Sequence, residues 1–367
     1  MSRSSSVPSK ALSRQVRGVD ELRATLGVQW PAIKRAREAA LRQRERLDEI
    51  IQPFLNTDTS FVVFGSLGRL EVTSGSDVDW SLLADGQADP RHFDIAAKVA
   101  EAIAEAKFKD PGQEATFGGL IFSHNLIHHI GGDNDDNSNT TRRLLLLLES
   151  APVGQRDAYD RTVNSVLSRY VIEDFGLAHA GNRNNVPRFL HNDIVRYWRT
   201  MAVDFAYKRR ARSGKGWALR TAKLRMSRKL IYVAGILMCY SCALDPEISV
   251  LKPEPNDPTI ALRIVEHLKK FVDQTPLDIV AQIVGGFPEL DDALRAVFCE
   301  YDRFIGILDD QQKREHLNKL APEAVSGDAT YGEIRQISDA FQEALLAIFI
   351  DNRGTQLAEL TRTYGVF

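Results

Sequence analysis

Two aspartates, Asp77 and Asp79, have the residue type and the spacing for metal chemistry. One apolar residue separates them, and because side chains alternate across an extended strand, both carboxylates point to the same face. Neighbouring carboxylates repel each other unless a cation lies between them, and Mg²⁺ binds one or two carboxylates together with substrate phosphate oxygens. The pair therefore predicts a site for Mg²⁺ or Mn²⁺, and two such ions can clamp the attacking and leaving oxygens of a phosphoryl displacement.

A turn that can hold a phosphate precedes the two acids. Residues 61–64 are apolar and β-rich, which predicts a buried strand, and Gly65 allows the chain to turn sharply after it. We expect Ser66 to be the N-cap of a helix whose free N–H groups favour phosphate. Arg69 can add a forked contact to the same phosphate. Residues 77–83 then predict a second strand that carries the acids.

This order of residues resembles the DNA polymerase β-type nucleotidyltransferase superfamily, in which Gly-Ser and a short loop precede Asp-x-Asp between apolar residues. The form found here, Gly-Ser-Leu-Gly-Arg, is most similar to the protein-PII uridylyltransferase branch and related signal-transduction nucleotidyltransferases. The resemblance covers roughly residues 57–154. It implies metal ligands at Asp77 and Asp79. It also implies phosphate contacts at Gly65, Ser66 and Arg69. Ser76, in the loop before the acids, is a further candidate for a nucleotide contact.

The resemblance also implies a third carboxylate, which the superfamily places on a later strand. The candidate strand, residues 118–127, contains no Asp or Glu. Glu114 precedes that strand and Glu149 follows a run of leucines, so both are candidates for the third catalytic acid. An amide such as Asn125, a water molecule or the substrate could also replace the missing ligand.

A basic segment, residues 188–229, contains thirteen Lys or Arg and only two Asp, in a chain with a net charge of −2. A solvated face is one reading of this segment. The other is a site for a polyanion, either the triphosphate of a nucleotide or a single nucleic-acid strand. On an ideal α-helix Arg220 and Lys223 share one face, and Arg228 lies on another. We therefore expect Lys215, Arg220 and Lys223 to contact the nucleotide.

The composition is that of an ordinary globular protein. Of 367 residues, 44% are hydrophobic and 26% charged. No stretch approaches the roughly 20 apolar residues that span a bilayer, and we expect neither a secretory signal nor membrane insertion. Three cysteines favour a reducing compartment. These observations predict a cytoplasmic protein, and they leave oligomerisation possible.

The pattern of apolar residues predicts four regions. Residues 1–11 form a flexible tail, 12–54 an N-terminal helical segment, 55–155 the nucleotidyltransferase core and 156–367 a helical C-terminal domain. After residue 157 apolar residues recur at three and four positions, with Gly and Pro between the runs. The expected class is α+β, with a small mixed-sheet core, an N-terminal helix and a large all-helical C-terminal domain.

Several functions fit these features. The main expectation is a Mg²⁺-dependent transfer of a nucleotidyl group from a (deoxy)nucleoside triphosphate to an acceptor hydroxyl, with release of pyrophosphate. The product would be a nucleotide or oligonucleotide, for which the resemblance offers bacterial antiviral signalling as one setting. The alternatives are transfer to a protein acceptor and a template-independent polymerase that primes itself on Tyr364. A nucleotide sensor without turnover and an RNA- or partner-binding protein are further alternatives.

Overall fold

A small mixed sheet organises the first part of the chain. The structure is a computed structural model, and it describes residues 12–109, 111, 117–178, 185–211, 216–251 and 258–365. The sheet has the order β3-β2-β1-β4. Its strands are β1 (Thr59–Val63), β2 (Trp80–Ala84), β3 (Gly119–Phe122) and β4 (Ala151–Val153). β1 runs antiparallel to β2 and β4, and β2 runs parallel to β3. The tail expected at residues 1–11 lies outside the described residues.

The helices of the first part flank this sheet. They are α1 (Val19–Leu26), α2 (Pro31–Ile51), α3 (Gly65–Gly68), α4 (Arg91–Glu105), α5 (Ser123–His128) and α6 (Asn137–Leu148). The second and third strands are shorter than expected. β2 begins one residue after Asp79, and the chain predicted as a strand to residue 127 turns helical at Ser123. Both differences follow from pairing, since the last β1–β2 rung joins Val63 to Trp80, and β3 is paired only as far as Phe122.

The sheet is buried on both faces. Phe61, Val63 and Leu82 point into a core with α2 and α4, whereas Val62 and Leu83 point into a larger core with the later helices. This alternation is the two-residue period of a strand. Because both faces are covered, functional groups must come from the ends of the strands and from the loops, and the Gly-Ser turn and the acids lie there.

Helices and their connections make up the described chain from residue 157 onward. They are α7 (Asp157–Ala178), α8 (Arg188–Ala211), α9 (Trp217–Lys223), α10 (Lys229–Leu244), α11 (Pro246–Ser249), α12 (Pro258–Val272), α13 (Pro276–Val284), α14 (Asp291–Asp309), α15 (Gln311–Lys319), α16 (Ala329–Leu346) and α17 (Gln356–Tyr364). Two π-helical turns, Leu224–Arg228 and Ala347–Asp351, follow α9 and α16 directly. This arrangement confirms the expected α+β class.

One continuous helical stretch, Trp217–Leu244, is long and apolar enough to cross a membrane. It combines α9, the first π turn and α10. In the folded chain 78% of its apolar window is buried against other helices. A core helix of a soluble protein has the same composition and burial, so this stretch is accounted for by packing.

Candidate functional site

The predicted acids and the Gly-Ser turn line one narrow crevice of about 50 Å³ between the sheet and the later helices. We call this cavity the crevice. The sheet side contributes Gly65, Ser66, Arg69, Glu71, Thr73, Ser76, Asp77 and Asp79. The helical side contributes Lys223, Ser227, Arg228, Phe304, Ile305, Leu308 and Arg314. Five polar residues of this lining were not expected from the motif or from the basic segment as ligand contacts: Glu71, Thr73, Ser227, Arg228 and Arg314.

The Gly-Ser turn approaches the acids closely enough to require glycine. Gly65 has φ +61°, and a Cβ on it would lie 2.6 Å from Asp79 Oδ2. The helix α3 that follows is only four residues long and begins at Gly65. Ser66 is therefore inside the helix, and the expected N-cap hydrogen bond from its side chain is absent. The hydroxyl of Ser66 lines the crevice instead.

A second glycine fixes α3 against the sheet. A Cβ on Gly68 would lie 2.1 Å from the carbonyl oxygen of Glu149. From the other side, Arg44 on α2 donates to the carbonyl oxygens of Leu67 and Gly68, with Nη2 at 2.8 and 2.7 Å. The carbonyl groups at the end of a helix need such donors. Arg44 thus holds the short helix in place, so the arginines of α2 have a structural task at this point.

Asp77 and Asp79 face the crevice side by side. Both are half-buried, whereas Val78 and Trp80 between and after them are buried. Within the described part of the chain, neither carboxylate forms an ion pair or accepts a hydrogen bond. Burial raises the pKa of Asp79 from 3.8 to about 6, with added repulsion from Asp77 and Glu149. Both acids line the crevice although they precede β2, and Arg228 and Lys223 only partly oppose the rise in the pKa of Asp79.

Arg69 is surrounded by carboxylates. Its Nε donates to Glu71 at 2.9 Å, and its Nη1 pairs with Glu149. Glu71 also accepts a hydrogen bond from the hydroxyl of Tyr301 at 2.9 Å. Arg69 lines the crevice, but its charge is already matched by two acids, so the phosphate contact expected for it stays a prediction.

The two candidates for a third acid have different outcomes. Glu149 is 2% exposed and is the C-cap of α6, two residues before β4. It pairs with Arg69 and, at 3.4 Å, with Arg228. It lies close enough to raise the pKa of Asp79, but it does not line the crevice. Glu114 lies outside the described residues. Among the residues that are described, no group of three or more His, Cys, Asp or Glu is arranged to hold a metal ion.

A π turn decides which basic side chains reach the crevice. The ladder of a π-helix joins residues five apart, so Lys223 and Arg228 lie one above the other across the turn Leu224–Arg228. Both line the crevice, together with Ser227. The expectation that Arg228 lies on another face is therefore wrong, because it assumed an uninterrupted α-helix. Arg220 does not line the crevice, and Lys215 lies outside the described residues.

Lys223 is a cation in an unfavourable setting. Burial lowers its pKa from 10.5 to about 8, and the neighbouring cations Arg314 and Arg228 lower it further, while Asp77 opposes the shift. Within the described chain its ammonium group forms no ion pair within 4 Å. An anion bound in the crevice would relieve this cost.

A larger chamber lies on the other side of Lys223 and Arg228. It has a volume of about 360 Å³, within the range of small-molecule sites. Aromatic and apolar groups line it, among them Phe117, Tyr197 and Phe205, and polar groups from the start of α6 and Arg220 complete it. Lys223 and Arg228 are thus shared by the crevice and the chamber, and a single elongated ligand could contact both cavities.

Tyr364, the residue considered for self-priming, lies away from the site. It lies on α17 and packs near Tyr240, with ring centroids 6.5 Å apart, and it does not line the crevice or the chamber. Self-priming on Tyr364 therefore gains no support from its position.

The sheet side of the crevice matches a known family. Residues 11–125 match the model described as "Putative nucleotidyltransferase DUF294". The matched segment includes the Gly-Ser turn and both acids, and covers less than a third of the 367 residues. The match supports a nucleotidyltransferase assignment and leaves the branch as a prediction. No curated protein matches the chain.

Proposed function

We propose that the chain is a Mg²⁺-dependent nucleotidyltransferase that acts on a nucleoside triphosphate. One observation carries the proposal: two adjacent carboxylates without ion pairs, Asp77 and Asp79, share a crevice with cations whose charge is poorly compensated, Lys223 among them. Such a site favours a divalent cation bound together with a polyphosphate, because the cation neutralises the two carboxylates and the polyphosphate neutralises the basic side chains. The family match of residues 11–125 supports the nucleotidyltransferase part of this proposal.

The donor set of the crevice fits Mg²⁺ or Mn²⁺. Asp77 and Asp79 would hold the ion, with phosphate oxygens and water as the remaining ligands. The bound ion would supply charge stabilisation to the phosphoryl group and activation of the acceptor hydroxyl. Gly65 and Ser66 would place backbone and hydroxyl groups beside the phosphates, and Lys223 and Arg228 would neutralise them from the helical side.

In the proposed reaction the acceptor hydroxyl oxygen forms a bond to the α-phosphorus. The bond between that phosphorus and the bridging oxygen to the β-phosphorus breaks, and pyrophosphate leaves with the electron pair. The proton of the hydroxyl passes to water. We assign the nucleoside to the 360 Å³ chamber, because it adjoins the crevice through Lys223 and Arg228 and combines aromatic with polar lining. We further propose that the acceptor is a nucleotide or an oligonucleotide.

The test is incubation of the purified chain with each common ribo- and deoxyribonucleoside triphosphate and Mg²⁺. Mass spectrometry of the products and of the intact chain, together with a pyrophosphate assay, identifies donor and acceptor. We expect pyrophosphate release that Asp77→Asn abolishes, whereas Glu101→Gln, an exposed acid on α4, leaves it unchanged. Full turnover by Asp77→Asn would refute the roles given to the acids.

A second candidate, a nucleotide sensor without turnover, is favoured by one observation. Glu149 is committed to Arg69 and Arg228, and the described residues assemble no third acidic ligand at the crevice. A sensor predicts calorimetric binding of a triphosphate with Mg²⁺ but no pyrophosphate from any donor and acceptor. The same incubation therefore separates the two candidates.

A further inference from the structure

Arg314 reaches the crevice from a part of the chain that carries no motif. It lies on α15, which is separated from α14 by a single residue, Asp310. Its Nη1 donates to Thr73 Oγ1 at 3.1 Å, and its Nη2 donates to the carbonyl oxygen of Gly75. Thr73 and Gly75 belong to the loop that joins α3 to the acid pair. The guanidinium group is thus placed beside the acids through contacts that span 241 residues of sequence.

The charge of Arg314 is not neutralised by the groups that it contacts. Thr73 and Gly75 offer neutral oxygens, and within the described chain no carboxylate lies within 4 Å of the guanidinium group. Burial lowers the pKa of Arg314, and Asp77 only partly opposes this shift. Arg69 in the same crevice is different, because two glutamates pair with it. A half-buried cation held by neutral acceptors is suited to an anion that arrives from outside.

The shape of the loop depends on the position of Arg314. A Cβ on Gly75 would lie 2.3 Å from Arg314 Nε, so only glycine allows this approach. Ser74, between the two contact residues, is held separately by Asp309, with Ser74 N at 3.2 Å from Asp309 Oδ1. Asp309 does not line the crevice. The loop therefore has one anchor that faces the crevice and one that does not, which gives a matched control.

We propose that Arg314 binds the β- and γ-phosphates of the nucleoside triphosphate and stabilises the pyrophosphate leaving group. This inference rests on the proposed function. Arg314 lies on the helical wall that faces the Gly-Ser turn, and its planar fork can contact two phosphate oxygens at once. As the bond from the α-phosphorus to the bridging oxygen breaks, negative charge grows on the pyrophosphate, and a fixed cation there lowers the barrier. The region beyond residue 300 thereby becomes part of the active site.

The test compares Arg314→Gln and Arg314→Lys with two controls. Lys313→Gln removes the neighbouring cation on α15, which pairs with Glu333 at 2.8 Å outside the crevice. Asp309→Ala removes the side-chain contact to Ser74 N, the other side-chain anchor of the loop, and leaves the hydrogen bond from Ser74 Oγ to the carbonyl oxygen of residue 309. We expect Arg314→Gln to lower kcat/KM for the triphosphate by roughly 10²- to 10³-fold. We also expect it to raise the inhibition constant of pyrophosphate at least about tenfold, with partial recovery in Arg314→Lys. Both controls should stay close to the original protein in both measurements.

A direct binding measurement separates this inference from the proposed function. Calorimetry with inorganic tripolyphosphate, without divalent metal, requires no turnover. One outcome is that the original chain binds tripolyphosphate, that Arg314→Gln does not bind it, and that no triphosphate gives a product. In that case the proposed function fails, but Arg314 remains a polyphosphate ligand. If turnover occurs and Arg314→Gln leaves the pyrophosphate inhibition constant unchanged, the inference is wrong. Equal losses in Asp309→Ala and Arg314→Gln would also overturn it, because they would show that Arg314 only braces the loop.

Discussion

Arg143 and the acid pair of the crevice are both charged groups removed from bulk water, but their surroundings are opposite. Arg143 on α6 is fully buried and forms two hydrogen bonds of 2.9 Å to Asp135, another of 2.9 Å to Asp193, and one of 2.7 Å to the hydroxyl of Tyr170. Each of the three nitrogens of this guanidinium therefore donates to an acceptor. The carboxylates of Asp77 and Asp79, in contrast, accept no hydrogen bond from the described residues.

We infer from this difference that the paired charges stabilise the fold, whereas the charges without partners are available to bind a ligand. A fully paired buried network fixes one arrangement of α6, α7 and α8, and it leaves no capacity for a substrate. An incompletely paired cluster with shifted pKa values raises the free energy of the ligand-free protein, and a ligand that pairs with these charges therefore binds more favourably. The crevice contains both kinds, because Arg69, Glu71 and Glu149 form a paired group beside the unpaired acids.

The largest effect should come from the unpaired acids. Asp77→Asn removes a metal-binding charge, and we expect turnover to fall by about 10⁴-fold, equivalent to roughly 5.5 kcal/mol of transition-state stabilisation. The folded structure should persist, because no ion pair is lost. Steady-state pyrophosphate release and circular dichroism check the two halves of this expectation. If Asp77→Asn loses turnover because it unfolds, the distinction between the two acids and the Arg143 network is wrong.

The paired network should respond in the opposite way. Arg143→Met leaves the buried Asp135 and the half-buried Asp193 with longer ion pairs to Arg196, at 3.6 and 3.9 Å. We expect the free energy of unfolding to fall by about 3–5 kcal/mol. Turnover per folded molecule should stay unchanged. Urea denaturation measures the loss, with Arg156→Gln as control. Arg156 forms only exposed pairs with Asp160 and Asp273, so its loss should cost at most about 1 kcal/mol.

Removal of the unpaired charge of Asp79 from the crevice should stabilise the metal-free protein. The raised pKa of Asp79, about 6 against 3.8, means that the folded state binds the proton more tightly than the unfolded chain does. Stability from this group is therefore lost as the pH rises from about 4 to about 6. We expect Asp79→Asn to raise the free energy of unfolding by about 1–3 kcal/mol at pH 7.5.

The same variant has a pH control and a metal control. At pH 4.5 the gain should shrink, because Asp79 is then mostly protonated in the folded protein. Mg²⁺ should raise the melting temperature of the original chain at pH 7.5 more than that of Asp79→Asn, because metal affinity depends on ionised ligands. If Asp79→Asn lowers the free energy of unfolding at both pH values, the carboxylate of Asp79 is stabilised by ion pairs or hydrogen bonds, as the Arg143 network is.

The smallest effect should come from Lys223. Its pKa is lowered to about 8, so its charge is lost as the pH rises through that value, although a bound polyphosphate favours the protonated form. We expect KM for the triphosphate to rise about tenfold between pH 7.5 and pH 9. Lys223→Arg should flatten this profile, since arginine keeps its charge. If KM depends on pH in Lys223→Arg as it does in the original chain, a group other than Lys223 causes this dependence.

Local pattern was enough to find the core of the site. The apolar runs, the Gly-Ser turn and the one-residue spacing of the acids each depend on neighbours in sequence, so the strand, the turn and the shared face of Asp77 and Asp79 could be predicted. The end of the third strand was misjudged at Ser123, where β pairing stops and α5 begins. The N-cap expected at Ser66 was misplaced by two residues, because α3 begins at Gly65 and its N-cap is Phe64.

The helical wall of the crevice could not be predicted in this way. Arg228 reaches the crevice because a π turn changes the spacing of side chains by about one residue, and no composition signal marks that turn. Arg314 reaches it because α14 and α15 pack over the loop at Gly75. The pairing of Arg69 with Glu149 depends on α6 ending beside α3, and only the folded chain brings these two ends together.

By itself, the sequence determined the α+β class and the acidic half of the site, since strand alternation and turn chemistry act over a few residues. The tertiary structure alone decided which charges are paired and which remain open. That decision depends on burial and on contacts between residues as far apart as Thr73 and Arg314, and the desolvation that shifts the pKa values of Asp79 and Lys223 exists only once those segments exclude water.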